Sequence, residues 1–281
     1  MRKSCISIIL SILLVQAVFG TSYADAKADR FFFEKQGRAI WDIPTNKKIV
    51  ALTFDDGPSE TYTPLVLDVL KKYQAKATFF VVGERAESSP QIIKRQVKAG
   101  HEVANHTYSH PNIRTMSKKA LTDEILHTNA IIHGLTGYTP KLFRPPGGAY
   151  NESIIYTANE AGFTVVLWSW HQDTLDWKQP GTSTIVRNVV NNVRNGDIIL
   201  FHDYGGNRMQ TVNALKKILP RLKKEGYEFV TVSQLTTMNP DYRYLNLLRT
   251  FKYSLELPPI QIKAIESLGM QLNEKNRWFL K

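Results

Sequence analysis

Two short stretches hold most of the side chains able to do chemistry. In Thr53-Phe54-Asp55-Asp56-Gly57-Pro58, two adjacent carboxylates end an apolar run, and Gly-Pro then turns the chain sharply. Neighbouring aspartates repel, and a cation is the usual compensation. Capping a helix would need only one of them. In His106-Thr107-Tyr108-Ser109-His110, two imidazoles stand at i and i+4. On a helical turn they face the same way and can grip one ion, although two unconnected surface or core histidines fit the spacing equally well. Two histidines and one carboxylate suit Zn²⁺ or a similar divalent ion, with positions left for water and substrate. Zinc lowers the pKa of water to about 7 in well-known sites. The second aspartate can then take the proton as general base. Spacing does not say which aspartate does which.

Hydrolysis also needs an acid. His202 ends the apolar run Ile199-Leu200-Phe201, and Asp176 can hold its imidazole in one tautomer. A lone histidine at such a place is more often structural. Arg144 can pair with Asp55 and keep it ionised. Pro145-Pro146-Gly147-Gly148 forms a stiff loop whose amides can meet an oxyanion.

Residues so far apart need a scaffold that gathers them. Runs rich in β-branched and aromatic residues read as strands at Ile49–Phe54, Ala77–Val82, Glu102–Ala104, Lys141–Phe143, Thr164–Trp168, Asp197–Phe201 and Glu228–Thr231. Amphipathic stretches between them predict helices at Pro64–Tyr73, Gln91–Ala99, Lys118–Leu135, Glu152–Ala161, Thr184–Arg194 and Val212–Lys224. Ser117 and Asn151 are good N-cap types, and Gly100, Gly162 and Gly226 each stop a helix before a strand. Strands alternating with helices give an α/β fold with parallel strands. Asp55 and Asp56 then follow the first strand, His106 and His110 the third, and Arg144 the fourth. Asp173 and Asp176 follow the fifth, and His202 the sixth. Carboxyl ends of strands converge on one face in such folds, where active sites sit. Pattern leaves both a closed barrel and an open sheet; five elements feeding one mouth are easier in a barrel.

The flanks have other textures. Arg2 and Lys3, the apolar run Ile6–Phe19 and Ala24-Asp25-Ala26 have the layout of a signal peptide over 1–26. The run is short for a membrane span, which takes about 20 residues, so contact with a membrane is expected only if the segment stays uncleaved. Residues 27–46 read as a lead-in whose cluster Phe31-Phe32-Phe33 and Trp41 pack against the domain. Residues 240–281 read as a C-terminal helical extension of two short helices, broken at Pro258-Pro259. Cys5 is the single cysteine and leaves with the signal segment, which excludes disulfides, thiol catalysis and cysteine metal ligands in the remainder. The net charge of +11 points a secreted, monomeric protein toward anionic cell-wall polymers or a membrane surface. No nucleic-acid-binding motif accompanies it, so no nucleic-acid partner is expected.

Thr53–Gly57, the His-x-x-x-His of 106–110, Arg144–Gly148, Asp173-Thr174-Leu175-Asp176-Trp177 and Leu200-Phe201-His202 together resemble the five ordered motifs of the polysaccharide deacetylase family, the carbohydrate esterases that include chitooligosaccharide deacetylases. The resemblance runs from about Lys48 to Leu235. It implies a distorted (β/α)7 barrel, with 47–239 as a single catalytic domain. It also implies a metal, Zn²⁺ first and Co²⁺, Mn²⁺ or Ni²⁺ as alternatives, on Asp56, His106 and His110. Asp55 is then the base, tuned by Arg144, and His202 the acid, oriented by Asp176. The Gly147 amide meets the oxyanion, and Trp170 and Leu200 line an acetyl pocket. One departure stands out: many relatives carry Tyr where this chain has Gly147, which leaves the amide but changes the groove. The implied reaction removes N-acetyl groups from N-acetylglucosamine-type units, with peptidoglycan as the expected substrate. Chitin oligosaccharides, an O-acetyl esterase or peptidase activity, and a non-catalytic cell-wall-binding role remain the alternatives.

Overall fold

A computed structural model describes residues 30–240, Met270–Leu272 and Trp278–Leu280. The seven expected strands form at Ile49–Asp55 (β2), Thr78–Val81 (β3), Glu102–Asn105 (β4), Leu142–Phe143 (β5), Thr164–Val166 (β6), Ile198–His202 (β7) and Glu228–Val230 (β8). One more precedes them, Ala39–Ile40 (β1), inside what reads as a mere lead-in. All pairings in this sheet are parallel, in the order β1-β6-β5-β4-β3-β2-β7. β8 lies on the first three residues of β2, and β3 on the last three.

Alternation along the strands explains both the core and the site. On β2, Val50, Leu52 and Phe54 face outward into a helix-covered core with Phe79, Val103 and Phe201. Ile49 and Ala51 face inward and join Phe80, Ala104 and Ile198 in the floor of the barrel. Continuing up the inner face come Thr53 and Asp55, in register with Leu200 and His202 of β7. The lower interior is therefore apolar and the upper interior polar, because period-two side chains on neighbouring strands stay on one face.

The expected helices are present as Tyr62–Lys72 (α2), Pro90–Lys98 (α4), Lys118–Thr136 (α5), Glu152–Glu160 (α6), Thr182–Val190 (α7) and Met209–Lys224 (α8). Ser117 and Asn151 cap α5 and α6, their side chains accepting from Ala120 N–H and Ile154 N–H. Short helices not foreseen are Arg30–Lys35 (α1), Gly83–Ser88 (α3) and Val232–Thr236 (α9). α9 inserts Val232 and Leu235 into the barrel floor. Of the aromatic cluster, Phe33 is buried but Phe31 is 71% exposed, so only part of it packs as expected.

The barrel is distorted because β1 and β7 do not pair as strands. Loops join them instead: Asp42 bridges Asp197 and Ile43 N–H donates to Gly196 carbonyl at 3.0 Å, while Ser169, in the loop after β6, donates its N–H to Ile198 carbonyl at 3.0 Å and its hydroxyl to Trp41 carbonyl at 3.2 Å. Glycine is required at this seam. Gly196 has φ 86°, and a Cβ there would sit 1.9 Å from the Ile43 carbonyl oxygen.

The segment 1–26 lies outside the described residues, as does most of 240–281. The described parts of the latter, Met270–Leu272 (β9) and Trp278–Leu280 (β10), pair as antiparallel strands where helices were expected. No described helix is long and apolar enough to cross a membrane.

Candidate active site

The inner face of β2 ends at Asp55, which is buried at 4% exposure. Asp56 follows in the left-handed region, φ 73°. That backbone breaks the alternation and carries the second carboxylate to the mouth. The Arg85 guanidinium, from α3, donates to the Asp56 carbonyl at 2.7 Å and lies 3.8 Å from the Tyr204 ring centroid.

Asp56 Oδ1 lies 3.4 Å from His106 Nε2 and 3.2 Å from His110 Nε2. The two histidines do not stand on a helical turn, as their spacing suggests. They lie on a loop after β4 with left-handed residues at Thr107 (φ 68°) and His110 (φ 55°). Glu124 of α5 ties this loop down, its carboxylate accepting from Tyr108 N–H at 2.8 Å, Ser109 N–H at 2.9 Å and Ser109 Oγ at 2.9 Å.

These three side chains fit a divalent cation. One ligand atom from each lies within 4.8 Å of the others. His106 Nδ1 is 2.7 Å from the Arg144 carbonyl oxygen. A carbonyl can only accept, so Nδ1 carries a proton and Nε2 is the nitrogen turned toward Asp56. Burial alone would raise the Asp56 pKa. The imidazoles of His106 and His110 outweigh it, and with His202 they hold the carboxyl far below the usual carboxylate range. A group kept anionic beside two imidazole nitrogens is a hard-and-borderline donor set of the kind divalent ions take.

Asp55 is held on the other side. Arg144 is fully buried, and its NH1 donates to Asp55 Oδ1 at 2.7 Å and to Thr53 Oγ1 at 2.8 Å. Its remaining nitrogens are satisfied by the Val166 carbonyl (Nε, 3.1 Å) and the Leu167 carbonyl (NH2, 2.8 Å), with the Phe80 ring 4.1 Å away. A buried ion pair persists only when its spare donors are met in this way.

Across the barrel, His202 Nδ1 donates to Asp176 Oδ1 at 2.7 Å. Asp176 is fully buried, and its Oδ2 accepts from His202 N–H at 2.9 Å and Thr211 Oγ1 at 2.8 Å. Burial would lower the His202 pKa. The hydrogen bond and charge of Asp176, helped by Asp55 and Asp56, reverse this and push it up to about 9. The imidazole is therefore cationic at neutral pH.

Gly147 lies in a one-turn 3-10 helix, Pro146–Gly148, with φ 59°. Gly148 and Ala149 N–H bond back to Pro145 and Pro146 carbonyls, which leaves the Gly147 N–H over. A Cβ at Gly147 would meet nothing within 4 Å, so the side chain this chain lacks has room. Leu200 is buried two residues before His202 on the same face of β7.

Trp170 lies on a segment that runs beside β7. Its neighbour His171 pairs with Asp197, just before β7, at 3.0 Å. His202 lies at the far end of that strand, about 13 Å on at strand rise. Trp170 is also 60% exposed, and Asp173, three residues further on, bridges Leu200. Trp177, which directly follows Asp176, is 48% exposed. A run of tryptophans, Trp168, Trp170 and Trp177, gives no sequence signal for choosing among them. Asp173, which the spacing also brings forward, spends its carboxylate on the Leu175 N–H at 3.0 Å. Arg85 and Glu124 were not foreseen, since surface charges on helices carry no motif.

A curled parallel barrel with a metal-type triad, a buried Arg–Asp pair and an Asp-held imidazole at its carboxyl-end mouth is the framework of a hydrolase. A family model described as polysaccharide deacetylase matches residues 42–166. A peptidoglycan-N-acetylglucosamine deacetylase of Bacillus cereus is 51% identical over 202 residues, covering 72% of this chain and 94% of that one. A peptidoglycan-N-acetylmuramic acid deacetylase of Bacillus subtilis is 40% identical over 193 residues, covering 69% of this chain and 40% of the relative. A crystal structure of a peptidoglycan N-acetylglucosamine deacetylase superposes with TM-score 0.70 at 42% identity, over 74% of this chain and 96% of that chain. The chain belongs to the polysaccharide deacetylase family.

Proposed function

We propose that this enzyme removes the N-acetyl group from N-acetylglucosamine-type units of peptidoglycan. The observation that carries the reading is the arrangement of charge around one opening. The Asp56–His106–His110 triangle stands between an Asp55 paired with Arg144 and a cationic His202 locked on Asp176. The substrate assignment is supported by relatives whose names specify that glycan.

Asp56, His106 and His110 are the residues that would hold the ion, with Zn²⁺ the first choice for two imidazoles and a carboxylate. The chemistry a divalent ion supplies there is polarisation of the acetyl carbonyl and acidification of water. The chain's own groups do the rest. Asp55, held by Arg144, accepts a proton as water adds to the acetyl carbon. The Gly147 N–H is offered to the oxygen on which negative charge develops. The His202 imidazolium donates its proton to the departing nitrogen, and Asp176 stabilises the cation until then. The products are acetate and a free amine on the sugar. Leu200 underlies the position of the acetyl methyl.

Export and a cell-wall location belong to the same proposal, supported by the N-terminal charge and apolar pattern and by a net charge of +11. The test is acetate release from N-acetylated peptidoglycan, chitin oligosaccharides and an O-acetylated glycan, with elemental analysis of the purified protein. Release only from the O-acetylated glycan, or from none of the three with metal bound, overturns the reading.

A further inference from the structure

At the end of the barrel opposite the mouth, α2 and α4 finish and β3 and β4 begin. Between them lies a cavity of about 500 Å³. Lys71, Lys76, Arg95, Lys98 and His101 line it, and no carboxylate does among the described residues. Part of this charge is ordinary. Asp68 pairs with Arg95 at 2.5 Å, and Lys76 Nζ donates to the Ala99 carbonyl at 2.6 Å. Each helix C-terminus carries about half a negative charge, so two ends and Asp68 offset about two of the four cations. A surplus of about +2 is left facing the cavity.

A second observation lies in the cavity wall. His101 is 7% exposed, and its Nδ1 has no hydrogen-bond partner among the described residues. Next to it, the Gln96 carbonyl accepts from His101 N–H at 3.1 Å. Gln96 is fully buried, with both side-chain amide atoms also unpartnered. Buried polar atoms are nearly always satisfied. Of these two residues only His101 lines the cavity, and an orphan nitrogen on its wall, beside surplus positive charge, marks a place where an outside group can complete the network. Burial, with Lys76 and Arg95, pushes the His101 imidazole down to about 4, so it adds no charge of its own at neutral pH.

We propose that this cavity is a binding site for phosphate groups, with Lys71, Lys76, Arg95 and Lys98 supplying the charge and His101 a directed hydrogen bond. Converging ammonium and guanidinium donors match a tetrahedral oxyanion with several acceptor oxygens better than a neutral sugar hydroxyl. Inorganic phosphate and the phosphodiesters of an anionic polymer share this chemistry. Because the cavity lies at the strand starts, a polymer held there leaves the catalytic mouth open, so the site would anchor the enzyme without competing with substrate. It stands independently of the substrate proposed for the mouth.

The test uses the full chain at fixed ionic strength, titrated with inorganic phosphate and separately with a poly(glycerol phosphate) oligomer. Readouts are the His101 Cε1–H signal by NMR and calorimetry. A saturable His101 shift with both probes supports a phosphate site, and one with the oligomer alone assigns it to phosphodiesters. No saturable shift with either overturns the proposal. The double variant Lys71→Glu/Lys98→Glu should weaken oligomer binding about tenfold and flatten its salt dependence by about two contacts. It should leave turnover of a soluble N-acetylglucosamine oligomer unchanged. Lys223→Glu/Lys224→Glu, on α8 away from the cavity, is the control. Equal weakening by both double variants would show unspecific attraction to a basic surface and refute the site.

Discussion

Replacing Asp176 with Asn tests the acid half of the site without changing its volume. In the native protein the Asp176 carboxylate holds the His202 imidazole at 2.7 Å and pushes its pKa up to about 9 although burial works the other way. Without that charge, burial is opposed only by Asp55 and Asp56, and the pKa should fall toward the ordinary histidine value of about 6.5. A fall of this size corresponds to about 3 kcal/mol, as an order of magnitude. The sign follows from the direction of the shift. A folded-state pKa raised above the unfolded value contributes stability that is full below about pH 6.5 and is lost as pH rises through about 9. Asp176→Asn should therefore lower the melting temperature at pH 6 and have little effect near pH 10. In kinetics, the alkaline limb of kcat/KM reports loss of the acid's proton. It should move down by about two pH units, alongside a fall in the His202 pKa measured by NMR on metal-free protein. An alkaline limb that stays in place while turnover drops would refute the reasoning, because Asp176 would then act on geometry alone.

Other outcomes follow from the same contacts. Arg144→Met leaves Asp55 buried without its cation and should destabilise the fold by roughly 3–5 kcal/mol in urea titration; a loss below about 1 kcal/mol would mean that solvent reaches Asp55. Asp55→Asn should keep the metal and abolish acetate release, whereas His106→Ala should lose the metal itself. Elemental analysis of both separates base from ligand, and full metal in His106→Ala would count against the triangle. Gly196→Ala drives a Cβ toward the Ile43 carbonyl, 1.9 Å away, at φ 86°. It should cost roughly 1–3 kcal/mol or more by calorimetry through the closing seam, with KM unchanged in the folded fraction. Gly147→Tyr enters open space at φ 59°. It should cost only about 1–2 kcal/mol of stability while shifting KM on glycans; an unaltered KM would place Gly147 outside the groove.

Much of the architecture was legible in the chain, for local reasons. β-Branched runs and amphipathic stretches alternate from Ile49 to Val230, and each strand or helix is decided by its own residues and the turn chemistry beside it. The polar residues at strand ends were legible by the same logic, since parallel strands put their carboxyl ends on one side. Asp55, Asp56, His106, His110, Arg144, Asp176 and His202 do meet at one mouth. β1 was not legible because two residues offer no period. The loop at 106–110 was misread as a helical turn because spacing is blind to left-handed backbone.

The sequence by itself determined the donor types and their order along a parallel α/β scaffold. The tertiary structure decided the pairing. Arg144 reaches Asp55 across 89 residues, and its own carbonyl fixes the tautomer of His106 across 38. With Asp55 so engaged and Asp56 turned by its left-handed backbone, it is Asp56 that meets the two imidazoles. Two adjacent carboxylates are equivalent on paper. They become different only when a buried cation claims one and a turn hands the other to the mouth.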